Sequence, residues 1–452
     1  MKGVRAFSAP GKALLAGGYL VLDPKYESFV VALSARMHAV VSSTTVPDND
    51  NKLIINVKSS QFNNNEWNYS VSKDQGYDPI ERDGKSNPFI EFTISNVCNY
   101  FSDNESFDNK ITIEIFSDAE YHSKENSLIM SNNYMSFPFH KKNIQDVPKT
   151  GLGSSAGLVT VLTTALSSVF LKDLDVSSIK YQHTIHNLAQ IAHCQAQGKI
   201  GSGFDVAAAT YGSIIYRRFL PEIISQLPEL SVDNFERYHN ALKDVVDTCN
   251  WKMIASPTNL PKGFKLIMGD VNTGSETVKL VQKVKKWYAN NQPHSLDVYN
   301  CIDENNMKII QLCKTLDSLS KTDTVYYSQL LEGLYNGYTD DFKELKEFKH
   351  AFLTIRKNFR LISKESGADI EPSIQTELLD NCIQIKGVLA GVVPGAGGFD
   401  AISLIASENT DIESETSGLT AFSNVSWMKL KQAECGLMEE DPQHYIGLRA
   451  AH

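Results

Sequence analysis

Lys149-Thr150-Gly151-Leu152-Gly153-Ser154-Ser155-Ala156-Gly157 is the stretch on which the reading of the fold turns. Its glycines and serines expose backbone N–H groups with almost no side-chain bulk in front of them. Leu158, Val161, Leu162, Ala165, Leu166 and Val169 then recur at the helical interval and predict an amphipathic helix with one buried face. A glycine-rich loop that runs into a helix N-terminus offers unpaired N–H groups and the positive end of the helix dipole, which together attract anions. Ser154 or Ser155 stands either to cap that helix or to offer a hydroxyl to a metal. A Gly/Ser surface turn before a core helix has the same composition, so the rest of the chain has to separate the two readings.

Two other phosphate-binding loops are excluded. No glycine stands at the G-x-x-x-x-G-K-[ST] spacing before a Gly-Lys pair, and Asp83-Gly84-Lys85-Ser86 reproduces only the tail of that motif. Gly151, Gly153 and Ala156 do meet the spacing of G-x-G-x-x-G/A, which belongs directly after a buried strand. Asn143-Ile144-Gln145-Asp146-Val147-Pro148 is too polar, and too close to a proline, to be that strand.

The run resembles the second signature of the GHMP kinases, the superfamily of galacto-, homoserine, mevalonate and phosphomevalonate kinases. Ser8-Ala9-Pro10-Gly11-Lys12-Ala13-Leu14-Leu15-Ala16-Gly17-Gly18-Tyr19-Leu20-Val21-Leu22 is similar to the first signature, and Gly391-Val392-Val393-Pro394-Gly395-Ala396-Gly397-Gly398-Phe399-Asp400-Ala401 to the third. The three matches keep the family's order and span most of the chain. Within the superfamily, two segments resemble the fungal and plant type of phosphomevalonate kinase. One is Gly17-Gly18-Tyr19-Leu20-Val21-Leu22-Asp23; the other is His193-Cys194-Gln195-Ala196-Gln197-Gly198-Lys199-Ile200-Gly201-Ser202-Gly203-Phe204-Asp205.

The resemblance implies an α+β chain with the two-domain GHMP kinase fold. Residues 1–220 would form a ribosomal protein S5 domain 2-like N-terminal domain that binds ATP. Residues 221–262 would connect it to a ferredoxin-like C-terminal domain with extra helices at 263–452, the site lying in the cleft between the two. It also implies roles. Lys12 and Asp205 would be catalytic. Lys149, Gly151, Leu152, Gly153, Ser154, Ser155, Ala156 and Gly157 would hold ATP, with Ser155 on Mg²⁺. Tyr19, Lys199, Ser202, Gly203, Gly397 and Gly398 would hold the acceptor, 5-phosphomevalonate. Many members place a glutamate about ten residues before the aspartate to help hold the metal; His193-Cys194-Gln195-Ala196-Gln197 has no carboxylate there. Lys199 keeps a second reading as a solvated cation at a helix C-terminus, and Tyr19 as a packing residue. An alcohol kinase of the superfamily and a catalytically dead sensor remain the competing functions, the latter disfavoured by Lys12, Ser155 and Asp205 standing together.

Composition agrees with an enzyme of this kind. The chain has 452 residues, 42% of them hydrophobic and 21% charged, enough for two cores. A formal charge of −10 argues against nucleic-acid binding. It also requires local cations wherever anionic substrates bind, which draws attention to Lys12, Lys149 and Lys199. Seven cysteines without a CxxC spacing read as reduced thiols of a cytoplasmic protein. His183, His186 and His193 lack partners for a zinc set. No membrane span, targeting signal or obligate protein partner is evident, and the final Gly447–His452 carries no readable motif.

Extended segments are expected at 4–8, 12–22, 29–43, 53–57, 110–116, 213–218, 264–269 and 401–406. Helices are expected at 88–100, 158–169, 176–197, 274–290, 294–320, 325–366 and 372–389. Residues 117–148 read as a long polar loop of the kind that forms lids.

Overall fold

The computed structural model describes residues 3–45, 52–103, 109–123, 127–271 and 277–448. The first part of the chain supplies β1 (Val4–Ala16), β2 (Glu27–Thr45), β3 (Leu53–Lys58), β4 (Glu66–Val71), β5 (Ile80–Glu81) and β6 (Asn109–Ser117). β7 (Ser127–Ser131) and β8 (Ser136–His140) form a separate hairpin, and β9 (Ile214–Arg217) and β10 (Ile254–Pro257) follow. One sheet runs in the order β10-β9-β2-β6-β3-β4-β5, with β1 on the other edge of β2. β1 is buried at nearly every position from Ala6 to Ala16, the pattern of a strand covered on both faces. Of the helices α1 (Pro88–Tyr100), α2 (Ser154–Phe170), α3 (Ile179–Gln197) and α4 (Phe204–Tyr211), α2 and α4 pack on β1 and β2, and α1 and α3 pack against α2 in turn.

A second antiparallel sheet takes β11 (Phe264–Asp270), β12 (Val388–Val392), β13 (Ala401–Ser407) and β14 (Ser426–Trp427), in the order β12-β13-β11-β14. The helices Thr277–Asn290, His294–Thr322, Thr324–Asn336, Lys343–Ser366 and Ser373–Cys382 lie between β11 and β12 in the chain. Near its end the chain returns to the first sheet, where β15 (Met438–Glu440) pairs with β1 and Arg5 bonds Glu439 at 2.8 Å.

Four expectations need correction. The strand from Lys12 ends at Ala16, because Gly17 (φ +112°) and Tyr19 (φ +63°) leave extended backbone, and Leu20–Leu22 is a 3₁₀ turn. Residues 117–148 are not one loop. They hold the β7–β8 hairpin, in which Phe137 is buried and stacks on Phe116 with centroids 5.0 Å apart, and Gln61 donates to the Ser117 and Pro138 carbonyls. The helix expected over 325–366 is two helices, broken where Gly337 takes φ +85° and closes the first. That expected over 372–389 ends at Cys382 and is followed by β12.

The second half of the chain presses on the Gly17–Leu22 turn. Asn306 accepts the Gly17 N–H at 3.2 Å, and the Phe359 ring packs edge-on against Tyr19. Buried Arg356 pairs with buried Glu371 at 2.8 Å beside Ile370, whose carbonyl takes the Gly398 N–H. A Cβ on Gly17 would stand 2.1 Å from Ser28 Oγ, in a backbone region that side chains rarely enter. Gly17→Ala is therefore expected to destabilise the fold by at least about 2 kcal/mol, from overpacking and backbone strain together. A urea midpoint equal to that of the parent chain would contradict this.

Candidate functional site

Gly151 (φ +76°) and Gly153 (φ +85°) adopt left-handed backbone on either side of Leu152, which is buried in the core and anchors the loop. Gly153 is the N-cap of α2. Ser154 and Ser155 therefore fall inside the first helical turn, and neither hydroxyl makes a capping bond. Ala156 is buried. Gly157 allows close helix–sheet contact, since a Cβ there would lie 2.7 Å from Met37 Cγ. The loop is also docked from the side: Thr150 N–H donates to Tyr121 O, and Thr150 Oγ1 to Glu120 O.

Lys12 meets this loop twice. Its N–H donates to Leu152 O at 3.1 Å and its Nζ to Gly151 O at 2.9 Å. A Cβ on Gly153 would stand 3.2 Å from Lys12 Cε and 3.8 Å from Asp205 Cβ, so the loop, the lysine and the aspartate converge on one point. Asp205 reaches it from the first turn of α4, which follows Gly203 in left-handed backbone (φ +82°). Burial lowers the Lys12 pKa, and the Asp205 carboxylate opposes that shift.

Ser155 Oγ lies 3.1 Å from His193 Nε2, and Gln197 Nε2 lies 3.2 Å from the same nitrogen. His193 thus stands in the stretch where the superfamily pattern led to the expectation of a glutamate. Burial lowers its pKa, the nearby Asp205 raises it and Lys199 lowers it further, so it is no substitute carboxylate. Among the described residues no group of three or more His, Cys, Asp and Glu is arranged to hold a metal ion. One hydroxyl and one carboxylate nevertheless suit Mg²⁺, which usually takes one or two protein oxygens and leaves the rest to phosphates and water.

A cavity of about 820 Å³ opens beside this point, between the two sheets. Lys12, Tyr19, Lys149, Gly151, Ser202 and Gly397 line it among the expected residues. Tyr19 spans the cleft, its hydroxyl donating to Ala396 O at 2.7 Å. Gly397 is pressed on Ile370, whose carbonyl would lie 2.2 Å from an added Cβ, and Gly398 is tied behind it. Lys199 is outside the lining, exposed past the C-terminus of α3, with its N–H on Cys194 O.

Residues that sequence reasoning did not single out complete the wall, notably Glu120, His122, Asp270, Asp400 and Trp427. Asp400 was legible in the third signature. The others sit at strand ends and turns whose neighbours in space come from distant parts of the chain.

Residues 124–213 match the family described as the GHMP kinases N-terminal domain. A phosphomevalonate kinase of Candida albicans is 41% identical over 449 residues, covering 98% of this chain and 100% of that protein. The chain belongs to the phosphomevalonate kinases of the GHMP superfamily. A plant relative, named as the peroxisomal phosphomevalonate kinase of Arabidopsis thaliana, is 29% identical over 88% of this chain and 89% of its own. Among solved structures, a Streptococcus pneumoniae phosphomevalonate kinase in complex with phosphomevalonate and AMPPNP shares the fold of this kinase. Its TM-score is 0.58 at 15% identity, over 95% of this chain and 99% of that one.

His122 lies in the cavity wall, buried, with neither ring nitrogen hydrogen-bonded among the described residues. Burial, aided by Lys149 and His140, lowers its pKa to about 4, and burial does the same for His186. An unfolded histidine titrates near about 6.5, so between these values the unfolded chain binds protons that the native kinase does not. The neutral rings contribute their full stability above about pH 6.5, and it is lost as pH falls toward about 4, on the order of 3 kcal/mol for each ring. Denaturant midpoints across that window should fall steeply, and His122→Gln with His186→Gln should flatten the fall; an unaltered acid limb in the double variant would refute the assignment.

Proposed function

We propose that this kinase transfers the γ-phosphoryl group of ATP to the phosphate of 5-phosphomevalonate, giving 5-diphosphomevalonate and ADP, at the point where Lys12, Gly153 and Asp205 meet. That convergence at the mouth of an anion-binding loop is the observation that carries the reading. Phosphoryl transfer is chiefly positioning and charge neutralisation. The N–H groups at the start of α2 would cradle the nucleotide phosphates, with Lys149 and Gly151 beside them on the cavity wall. Lys12, with its Nζ fixed on Gly151 O, would offset charge on the transferred group. Mg²⁺ would be held by Ser155 and Asp205 together with phosphate oxygens, and would supply neutralisation of the polyphosphate.

The acceptor determines what Asp205 has to do. A phosphate monoester has a second pKa of about 6 and arrives largely as a dianion, so a general base is nearly redundant. Repulsion between two anions in a chain of charge −10 becomes the obstacle. Ser202 and Gly203 would give main-chain donors to the acceptor phosphate, Lys199 a cation, and Tyr19, Gly397 and Gly398 the opposite wall. An alcohol acceptor such as mevalonate is the alternative within the superfamily, and ADP release measured with each purified acceptor separates the two. Action in the cytoplasm belongs to the same reading, supported by seven free cysteines; the name of the plant relative points to the peroxisome, and a fluorescent fusion in the source cell decides between them.

Asp205→Asn should lower turnover while the ATP constant stays within about twofold. Loss of one charge-assisted contact is worth about 1.5–3 kcal/mol, roughly ten- to a hundredfold. Equal losses of nucleotide binding and turnover would place Asp205 elsewhere. Lys199→Ala should weaken 5-phosphomevalonate binding over a similar range and leave ATP binding alone. Because Lys199 is exposed, this loss should shrink in high salt. An acceptor constant that does not move would leave Lys199 as a solvated cation.

A further inference from the structure

The acceptor loop is held from beneath by two side chains at the end of β9. Arg218 donates from Nη2 to Ile200 O at 3.0 Å and to Gly201 O at 2.7 Å, and from Nη1 to Leu22 O at 2.6 Å. Tyr216 donates its hydroxyl to Ser202 O at 2.8 Å. Both side chains are buried, and among the described residues Arg218 hydrogen-bonds only to main-chain carbonyls. One guanidinium therefore joins two separate cavity-lining segments, the loop before α4 and the turn that carries Tyr19.

This has a consequence for the opposite side of the loop. In a trans peptide the C=O and the following N–H lie in one plane and point in opposite directions. With the carbonyls of Ile200, Gly201 and Ser202 taken by Arg218 and Tyr216, the N–H that follows each one points away from the side chain that binds that carbonyl. That of Gly201 meets the Cys194 thiol. Those of Ser202 and Gly203 have no acceptor among the described residues, and the first turn of α4 follows them directly. Ser202 is in the cavity wall. Gly203 cannot carry a side chain, since a Cβ would stand 2.7 Å from Gln190 Oε1 and 2.9 Å from Tyr216 Oη.

We propose that Arg218 is a positioning residue for the phosphate monoester acceptor: by gathering the carbonyls of 200–201 and Leu22, it turns the Ser202 and Gly203 N–H groups toward the acceptor phosphate. The inference rests on the assignment of this loop to the acceptor. A loop already ordered on Arg218 loses less freedom when the acceptor binds, so the bond network acts on acceptor affinity. A lysine cannot replace it, because a compact ammonium does not match three carbonyls gathered by a planar guanidinium.

The test is Arg218→Lys and Arg218→Ala in the full chain, with initial rates measured while each substrate is varied and a thermal melt for each variant. The KM for 5-phosphomevalonate should rise tenfold or more in both, with the KM for ATP within about twofold, and millimolar guanidinium should restore part of the loss in Arg218→Ala. Tyr216→Phe should shift the same constant less. Should Arg218→Ala fail to fold, Arg218→Lys decides. Equal rises in both constants, or an unchanged acceptor constant in Arg218→Lys, would overturn the role. Parent enzyme that turns over mevalonate but not 5-phosphomevalonate would instead overturn the function on which the inference rests.

Discussion

Lys12 bonds the glycine-rich loop through its main chain and its side chain at once, at 3.1 Å to Leu152 O and 2.9 Å to Gly151 O. That double contact joins the first strand of the large sheet to the N-terminus of α2. It fixes where a cation stands relative to a set of unpaired N–H groups. Leu152, buried between two left-handed glycines, keeps the loop from sliding away from the strand. Much of the fold serves to keep this arrangement still: β1 is covered on both faces, and Gly157 lets α2 approach Met37 closely.

The second requirement is a neighbouring place for another anion, and here the two halves of the chain must cooperate. Tyr19 donates across the cleft to Ala396. Asn306 and Phe359 brace the turn beneath Tyr19 from one side, while the Arg356–Glu371 pair and Ile370 hold the glycine loop at 395–398 from the other. In a chain of net charge −10, cations are spent sparingly at the site. Lys12 is held in place by carbonyls, and so is Arg218. On the proposed reading, main-chain N–H groups would supply much of the remaining positive potential, and glycine leaves them open to an anion.

The three signatures, with Lys12, Ser155 and Asp205 at their positions, were readable from residue type and spacing alone, and so were α1 and the helix after the glycine-rich loop. That is because a loop that runs into a helix N-terminus is a local object: neighbouring residues make it. The β7–β8 hairpin was hidden because Ser127–Ser131 and Ser136–His140 are short and lie among polar residues. Only the approach of Phe116 and Gln61 makes them strands. The ends of β1 and of the helix at Asn336 turn on single glycines whose backbone angles no pattern of apolar residues announces.

The sequence by itself therefore determined the family and, through it, the fold class, because each of the three signatures is a pattern of residues close in the chain. Tertiary structure alone decided that Ser155 faces His193, that Lys199 lies outside the cavity wall, and that Arg218 gathers carbonyls from residues 22, 200 and 201. The physical reason is the same in each case. Hydrogen bonds and burial are settled by which groups meet in space, and these partners lie from 17 to 196 positions apart along the chain.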